Sequence, residues 1–424
     1  MPPKPVFPDI AATGETTALK PIARDDGRRD ATSSSLEVRS AQRARRQPVE
    51  VPGRVVVLAP DKFKGSATAA EVAAAVGRGI HAVAPSARLI AVPVADGGDG
   101  TVDAALAAGF DSIPVVASGP TGRQVRTSYA RRGEVALIEL ARVCGLTQHP
   151  AGLDPLGASS FGLGEALSAA IHDGCRQVIL GIGGSASTDG GIGMLQALGV
   201  GVFDESGRPV ARGGRGMRTV AALDLTTCDP LLHTVEVTVA SDVANPLAGP
   251  NGAACVYSRQ KGASREIVAE LDAGLRHWAS IVTKTTGIDS SGTPGAGSAG
   301  GVGFAALALG ARLRSGVELM LELVDFDSAL AGADLVITGE GRLDSQTLAG
   351  KTPVGVAAAA ARAGAPVVAV AGQCALSPAE LATLGIRAVY SLTELAEDPS
   401  RSMHDAVLLL DKAGIALARR WLTA

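Results

Sequence analysis

A chain of 424 residues is long enough for two or three domains of ordinary size. With 46% hydrophobic, 19% charged and 3% aromatic residues, it builds its cores from Val, Ile, Leu and Ala, which excludes a wholly disordered or fibrous protein. A net charge of −3 provides no global basic field for nucleic acid, although a local anion site is compatible with it.

Residues 1–52 have a different texture from the rest. Four prolines fall before position 10, Ser33, Ser34 and Ser35 form a run, and Arg39, Arg43, Arg45 and Arg46 form a basic cluster. Nine positive and seven negative charges with almost no apolar periodicity predict a disordered extension. From Arg54 the pattern alternates between apolar runs and helical stretches. Strands are expected at 54–59, 89–94, 177–182, 200–203, 235–240, 334–338 and 366–371. Helices are expected at 68–83 and 192–198, and from Pro353 to 363, and a Gly-, Ser- and Pro-rich break at 285–303 is a candidate boundary. Buried runs alternating with helices imply an α/β protein whose parallel sheets are covered on both faces. The five cysteines lie far apart with no CxxC and read as reduced thiols. The best apolar run, 354–372, is broken by Arg362 and Pro366. A soluble cytoplasmic protein that avoids membranes is therefore expected.

Five polar, glycine-rich loops follow strands or open helices, where an open parallel sheet binds its ligands. The first holds Asp61, Lys62, Lys64 and Ser66, with Ser66 a plausible N-cap and Lys64 beside a helix start able to meet an anion. The chain has eight lysines against 31 arginines, and Lys62, Lys64, Lys261 and Lys351 all lie in Gly- or Asp-flanked loops, which favours an anion-contacting role for at least one of them. The second loop carries Asp96 and Asp99 among glycines, suiting Mg²⁺ or, equally, a tight turn with an Asp cap.

The third loop carries Ser185, Ser187, Thr188 and Asp189. Its Gly181, Gly183 and Ala186 also fit GxGxxA, with Asp204 about where a ribose-binding acid would stand, so a nicotinamide-dependent oxidoreductase is a rival reading. The fourth pairs Asp242 and Asn245 with Lys261, as a site or as an Asx-stabilised turn. The fifth runs through Glu340, Arg342, Asp344 and Lys351. It departs from a Walker A loop at Ser345, which replaces the glycine needed for the phosphate-wrapping turn, so a true P-loop is excluded. The six histidines show no metal-ligand spacing; His81, His172 and His277 fall inside expected helices.

Several of these stretches resemble the type I glycerate kinase family, ATP-dependent enzymes that phosphorylate D-glycerate. The matching segments are APDKFKGSATAAEVAAAV, PVADGGDGTVDA, LGIGGSASTDGGIGMLQALG, SDVANPLAGPNGA, QKGAS, PGAGSAGGVG and ADLVITGEGRLDSQTLAGKTPVGVA, in the family's order. Asp99 stands where the family more often has Glu, and Ser159 and Ser160 replace a usual Thr-Ser pair.

The resemblance implies two α/β domains, with a Rossmann-like parallel-sheet domain (53–90 and 298–424) interrupted by an inserted second α/β domain (91–297). It also implies a cleft between them, ATP and Mg²⁺, and phosphoryl transfer to the 2-hydroxyl of D-glycerate, giving 2-phosphoglycerate. On this reading Lys64 serves phosphate charge, Asp189 or Asp242 is base or metal ligand, Asp96 and Asp99 face the metal, and Arg342 meets an anionic group. Ser185, Thr188, Asp61, Asn245, Lys261, Glu340, Asp344 and Lys351 would bind substrate or phosphate. The partners implied are D-glycerate and ATP, without nucleic acid or membrane, in a monomer or homodimer. A catalytically silent anion-binding protein on the same scaffold is the other alternative.

Overall fold

In a computed structural model of the protein, residues 53–148 and 152–423 are described; the N-terminal extension expected at 1–52 lies outside them. Two sheets organise the chain. The first takes its strands from the two ends of this span: β1 (Val55–Pro60) and β2 (Arg88–Ala91) early in the chain. The second collects β3 (Asp111–Ser118), β4 (Gln124–Arg132), β5 (Val135–Glu139) and β6 (Gln177–Gly181). A small ribbon of β7 (Gly201–Phe203) and β8 (Ala222–Asp224) follows, and then β9 (Glu236–Ala240) and β10 (Arg312–Arg314) return to the second sheet. The chain re-enters the first sheet with β11 (Leu335–Leu343), β12 (Val367–Cys374) and β13 (Ile386–Ser391).

The first sheet has the order β13-β12-β11-β1-β2 and is parallel throughout. Strand β1 shows why. All but its first residue are buried, and alternation divides them between two cores. Val56 and Leu58 face the core under the helices Ala69–Val83 and Ala406–Trp421, whereas Val57 and Ala59 face the core under the helix Thr352–Arg362. The second of these cores continues without interruption to Ala130, Leu137, Ile179 and Ala240 of the second sheet.

The second sheet has the order β10-β9-β6-β5-β4-β3 and is mixed: β10, β9, β6 and β5 run parallel, β4 pairs antiparallel with β5, and β3 pairs antiparallel with β4. Parallel sheets were expected, and β3 to β5, β8, β10 and β13 were missed. Strand β3 alternates exposed and partly buried residues and carries Pro114, tolerable because this is an edge strand with no neighbour beyond it. The remaining expected strands are present with shifted ends, and β10 pairs with β9, so the chain beyond the break at 285–303 still belongs with the second sheet.

The helices Ala69–Val83 and Ala406–Trp421 cross where neither can carry a side chain. A Cβ on Gly414 would stand 2.2 Å from the Val76 carbonyl oxygen, and one on Gly79 would stand 2.1 Å from that of Asp411. Gly414→Val should therefore lower stability by about 1–3 kcal/mol through overpacking, measured by urea unfolding, while Gly292→Ala, at an exposed site with open space and no positive φ, should cost less. Equal losses would contradict the close crossing.

Candidate active site

The carboxyl ends of β1 and β11 in the first sheet meet those of β6 and β9 in the second around a cleft of about 1430 Å³. Glycines permit the approach. A Cβ on Gly183 would lie 2.6 Å from Gly98 Cα, and one on Gly181 would lie 2.8 Å from the Gly97 carbonyl oxygen. This close packing, rather than a pyrophosphate turn, occupies the glycines of the GxGxxA match. Nor does β7 return beside β6: it pairs antiparallel with β8. Asp204 accepts from Ser206 N and Arg208 N at 2.8 and 2.9 Å, closing a turn. The dinucleotide reading is thereby overturned.

On the first-sheet edge, Asp61 sits at the end of β1, nearly fully buried. Its Oδ1 accepts from Lys62 N at 2.6 Å and its Oδ2 from Thr352 Oγ1 at 2.9 Å, at the start of the helix Thr352–Arg362. Burial pushes its carboxyl up to about 6, with Lys62 opposing and Asp96 adding to the rise. Glu340, inside β11, accepts from Thr347 Oγ1 at 2.5 Å and faces Lys351 Nζ at 3.8 Å; burial raises it to about 7. Arg342 pairs with Asp344 at 3.3 Å. Lys64 is exposed at the cleft. The helix behind it is capped by Thr68, not Ser66: Glu71 N donates to Thr68 Oγ1 and the Glu71 carboxylate accepts from Thr68 N. With an acidic side chain on the first turn, that helix start is not the anion site expected beside Lys64.

Asp96 and Asp99 lie in the turn that packs between the edges. Neither caps the following helix, Thr101–Ala107. Glu139 at the end of β5 does so, accepting from Gly100 N at 3.1 Å and Val102 N at 3.0 Å. Asp96 Oδ1 accepts from Gly98 N at 3.1 Å, and Asp99 is exposed. Lys62 stands among these acids. Burial acts to lower its pKa, yet Asp61, Asp96, Asp99 and Glu139 together raise it above the ordinary lysine value.

On the second-sheet edge, Lys261 is 2% exposed and donates through Nζ to Ser185 Oγ at 2.8 Å and to the Ser187 carbonyl at 2.5 Å. Burial pulls its ammonium down to about 7, against the raising field of Asp189. Asp242, just past β9, accepts at Oδ1 from Ser315 Oγ at 2.8 Å and Gly316 N at 2.9 Å, while its Oδ2 is buried without a partner. Burial raises this carboxyl to about 6. Asn245 does not orient Asp242. Its Oδ1 accepts from Tyr257 OH at 2.6 Å and its Nδ2 donates to the Asn251 carbonyl at 2.8 Å, bracing the loop.

The cleft thus gathers Asp61, Lys64, Asp96, Asp99, Ser185, Asp242, Asn245, Lys261, Glu340, Arg342, Asp344 and Lys351. Two expected residues stand outside its lining. Thr188 is buried and bonded to Ser258 Oγ at 3.2 Å. Asp189 has no exposed surface, and its oxygens accept from Ser159 Oγ, Ser160 N and Oγ, Gly191 N and Gly193 N. Its carboxylate faces the starts of the helices Phe161–His172 and Ile192–Ala197. Buried Trp278 holds the same loop by donating to the Gly190 carbonyl at 3.0 Å. Lys62, Glu139 and Tyr257 were not singled out as site residues from sequence; only Lys62 carried a signal, in the scarcity of lysine. His81 and His277 face backbone carbonyls and His172 faces Asp229. Among the described residues, no three His, Cys, Asp or Glu side chains converge closely enough to hold a metal ion by themselves, and no helix is long and apolar enough to cross a membrane.

Acids and ammonium groups converging at the carboxyl ends of parallel strands define an α/β enzyme site for small charged ligands. Residues 56–422 match the Glycerate kinase family. A glycerate kinase of Halalkalibacterium halodurans is 42% identical over 373 residues, covering 86% of this chain and 98% of its own. A glycerate 2-kinase of Escherichia coli (strain K12) is 42% identical over 343 residues, covering 80% and 90% respectively. The crystal structure of a candidate glycerate kinase 2 from Salmonella typhimurium LT2 matches with a TM-score of 0.76 at 39% identity, over 87% of this chain and 98% of that one. The chain belongs to the glycerate kinase family, and the enzyme is a kinase.

The geometry of Asp189 gives a test. Asp189→Asn places an amide NH₂ among groups that donate, so stability should fall by about 1–3 kcal/mol in denaturant unfolding. Unchanged stability with a lost kcat would instead place Asp189 in the chemical step.

Proposed function

We propose that the protein is an ATP-dependent D-glycerate 2-kinase, moving the γ-phosphoryl group of ATP to the 2-hydroxyl of D-glycerate to give 2-phosphoglycerate and ADP. The observation that carries this reading is Asp242, whose Oδ1 is pinned by two donors while Oδ2 is buried and unpartnered beside the cleft. Phosphoryl transfer asks the protein for positioning, charge neutralisation and a group that accepts the hydroxyl proton. Asp242 Oδ2 takes that proton as the glycerate oxygen bonds to phosphorus and the bond from phosphorus to the ADP oxygen breaks. Lys64 and Arg342 meet phosphate charge from the first-sheet edge. The 2-hydroxyl is favoured over the 3-hydroxyl by the similar Escherichia coli protein, a glycerate 2-kinase.

The acids fit Mg²⁺, which takes oxygen ligands and is commonly held by one or two carboxylates together with substrate phosphates. Asp96 would hold it with Asp61 or Asp99; its charge bears on Asp61, Asp242 and Glu340, and the latter three are pushed up by burial without a full set of partners. When bound, Mg²⁺ would neutralise phosphate charge and relieve these acids. The reading keeps a two-domain division, with the inserted part extended through β10 because Arg312–Arg314 pairs with β9. A cytoplasmic location accords with five unpaired cysteines.

Asp242→Asn keeps the shape and removes the proton acceptor. It should lower kcat by about 10²–10⁴-fold in an assay of glycerate-dependent ADP release. Phosphorus–proton NMR correlation of the wild-type product should place phosphorus on C2. A variant within a few-fold of wild type would remove Asp242 from the base role, and phosphorus on C3 would overturn the regiochemistry.

A further inference from the structure

The cations of the cleft are divided unevenly between its two edges. Lys62, Lys64, Arg342 and Lys351 belong to three segments of the first-sheet edge, whereas the second-sheet edge offers Lys261. A polyphosphate carries several charges along its length and a hydroxy acid carries one. By number of cations the first edge matches the former and the second edge the latter, with Lys62, Arg342 and Lys351 each also facing an acid of their own edge, Asp61, Asp344 and Glu340.

The hydrogen bonding at the second edge is directional. Lys261 Nζ has donors to give, and Ser185 Oγ accepts one of them at 2.8 Å. That leaves the Ser185 hydroxyl proton unspent on a side chain that lines the cleft. Lys261, 2% exposed, donates through Nζ to Ser185 Oγ and the Ser187 carbonyl and so orients the serine at the cleft. Ala299 also lines the cleft, with φ 51 and ψ 37, a left-handed conformation disfavoured for a residue with a Cβ. It is held there by the adjoining loop, where Gly190 N donates to the Gly300 carbonyl at 3.0 Å. Backbone held in such a conformation clusters at ligand sites.

We infer that Ser185, oriented by Lys261, donates the hydrogen bond that receives the carboxylate of the hydroxy-acid substrate, while the nucleotide phosphates lie across the cleft along the first-sheet cations. This rests on the reading of the cleft as a glycerate and ATP site. Ser185 is then a specificity residue that selects a carboxylate over a neutral group, and Lys261 is a positioning residue. Asp242, on the same edge, lines the same cleft.

The test is steady-state kinetics of Ser185→Ala, Ser185→Thr and Lys261→Met with glycerate and with its neutral amide, glyceramide, as acceptors. Ser185→Ala should raise KM for glycerate about 10- to 100-fold, the effect of one charge-assisted hydrogen bond, and leave KM for ATP nearly unchanged. Its preference for glycerate over glyceramide should collapse, Ser185→Thr should restore it, and Lys261→Met should follow the alanine variant. Should Lys261→Met fail to fold, the alanine and threonine pair decides. A rise in KM for ATP instead, or a retained preference for the carboxylate, overturns the inference while the functional reading stands. A wild-type enzyme that releases no ADP with glycerate defeats that reading and this inference together.

Discussion

The site depends on a contact between two turns that have no side chains at the point of touch. Gly97 and Gly98, after the first sheet's β2, meet Gly181 and Gly183, at and just past the end of the second sheet's β6, and a Cβ on Gly316 would stand 2.2 Å from the Asp96 carbonyl oxygen. Any larger residue would hold the two strand-end sets apart. Because they close to this distance, carboxylates that would be solvated on a single sheet edge become walled in by the other edge. Burial then does what it does to any acid, favouring the neutral form. Asp61, Asp242 and Glu340 all show it, and each belongs to a different strand or its end: β1, β9 and β11.

The acids of this region fall into two kinds. Glu139 and Asp189 serve helix starts, where negative charge is favourable: Glu139 accepts from two backbone N–H groups and faces Arg142 at 3.4 Å, and Asp189 accepts from three backbone N–H groups and the Ser159 and Ser160 hydroxyls. Asp61, Asp242 and Glu340 have fewer donors than a buried carboxylate can accept, and Asp242 leaves one oxygen without any. The first kind frees the second. With Glu139 capping the helix Thr101–Ala107, Asp96 and Asp99 are not needed as caps and remain beside the cleft. A buried charge with an incomplete set of partners costs stability, and it persists where a ligand completes the set.

Much of the first sheet was legible because its strands are buried on both faces and read as unbroken runs of Val, Ile, Leu and Ala. Strands β3 to β5 were not, since antiparallel edge strands mix exposed and buried positions and β3 contains a proline. The loops were found because glycines and charged residues stand out against an Ala-rich background. Their internal division was not legible. Asp189 reads as poised beside a ligand because it precedes two glycines, yet its partners come from Ser159 and Ser160, about 30 residues earlier, and sequence spacing cannot show them. Glu139 ends an ordinary strand and gives no local sign that it caps another helix. The GxGxxA match misled for a similar reason: glycines needed for packing against a second loop look the same as glycines needed for pyrophosphate.

The central claim is that the fold gives up stability to keep these acids buried and incompletely paired. The most direct measurement is the unfolding free energy of wild type and Glu340→Gln from pH 4 to 8. Burial raises Glu340 from 4.5 to about 7, so the folded wild type holds its proton longer than the unfolded chain does. Wild-type stability should therefore fall, relative to the variant, as pH rises through that window. The account predicts nearly equal stability at pH 4 and a variant that is the more stable at pH 8. A difference that does not change with pH, or a wild type that is the more stable at pH 8, would contradict it.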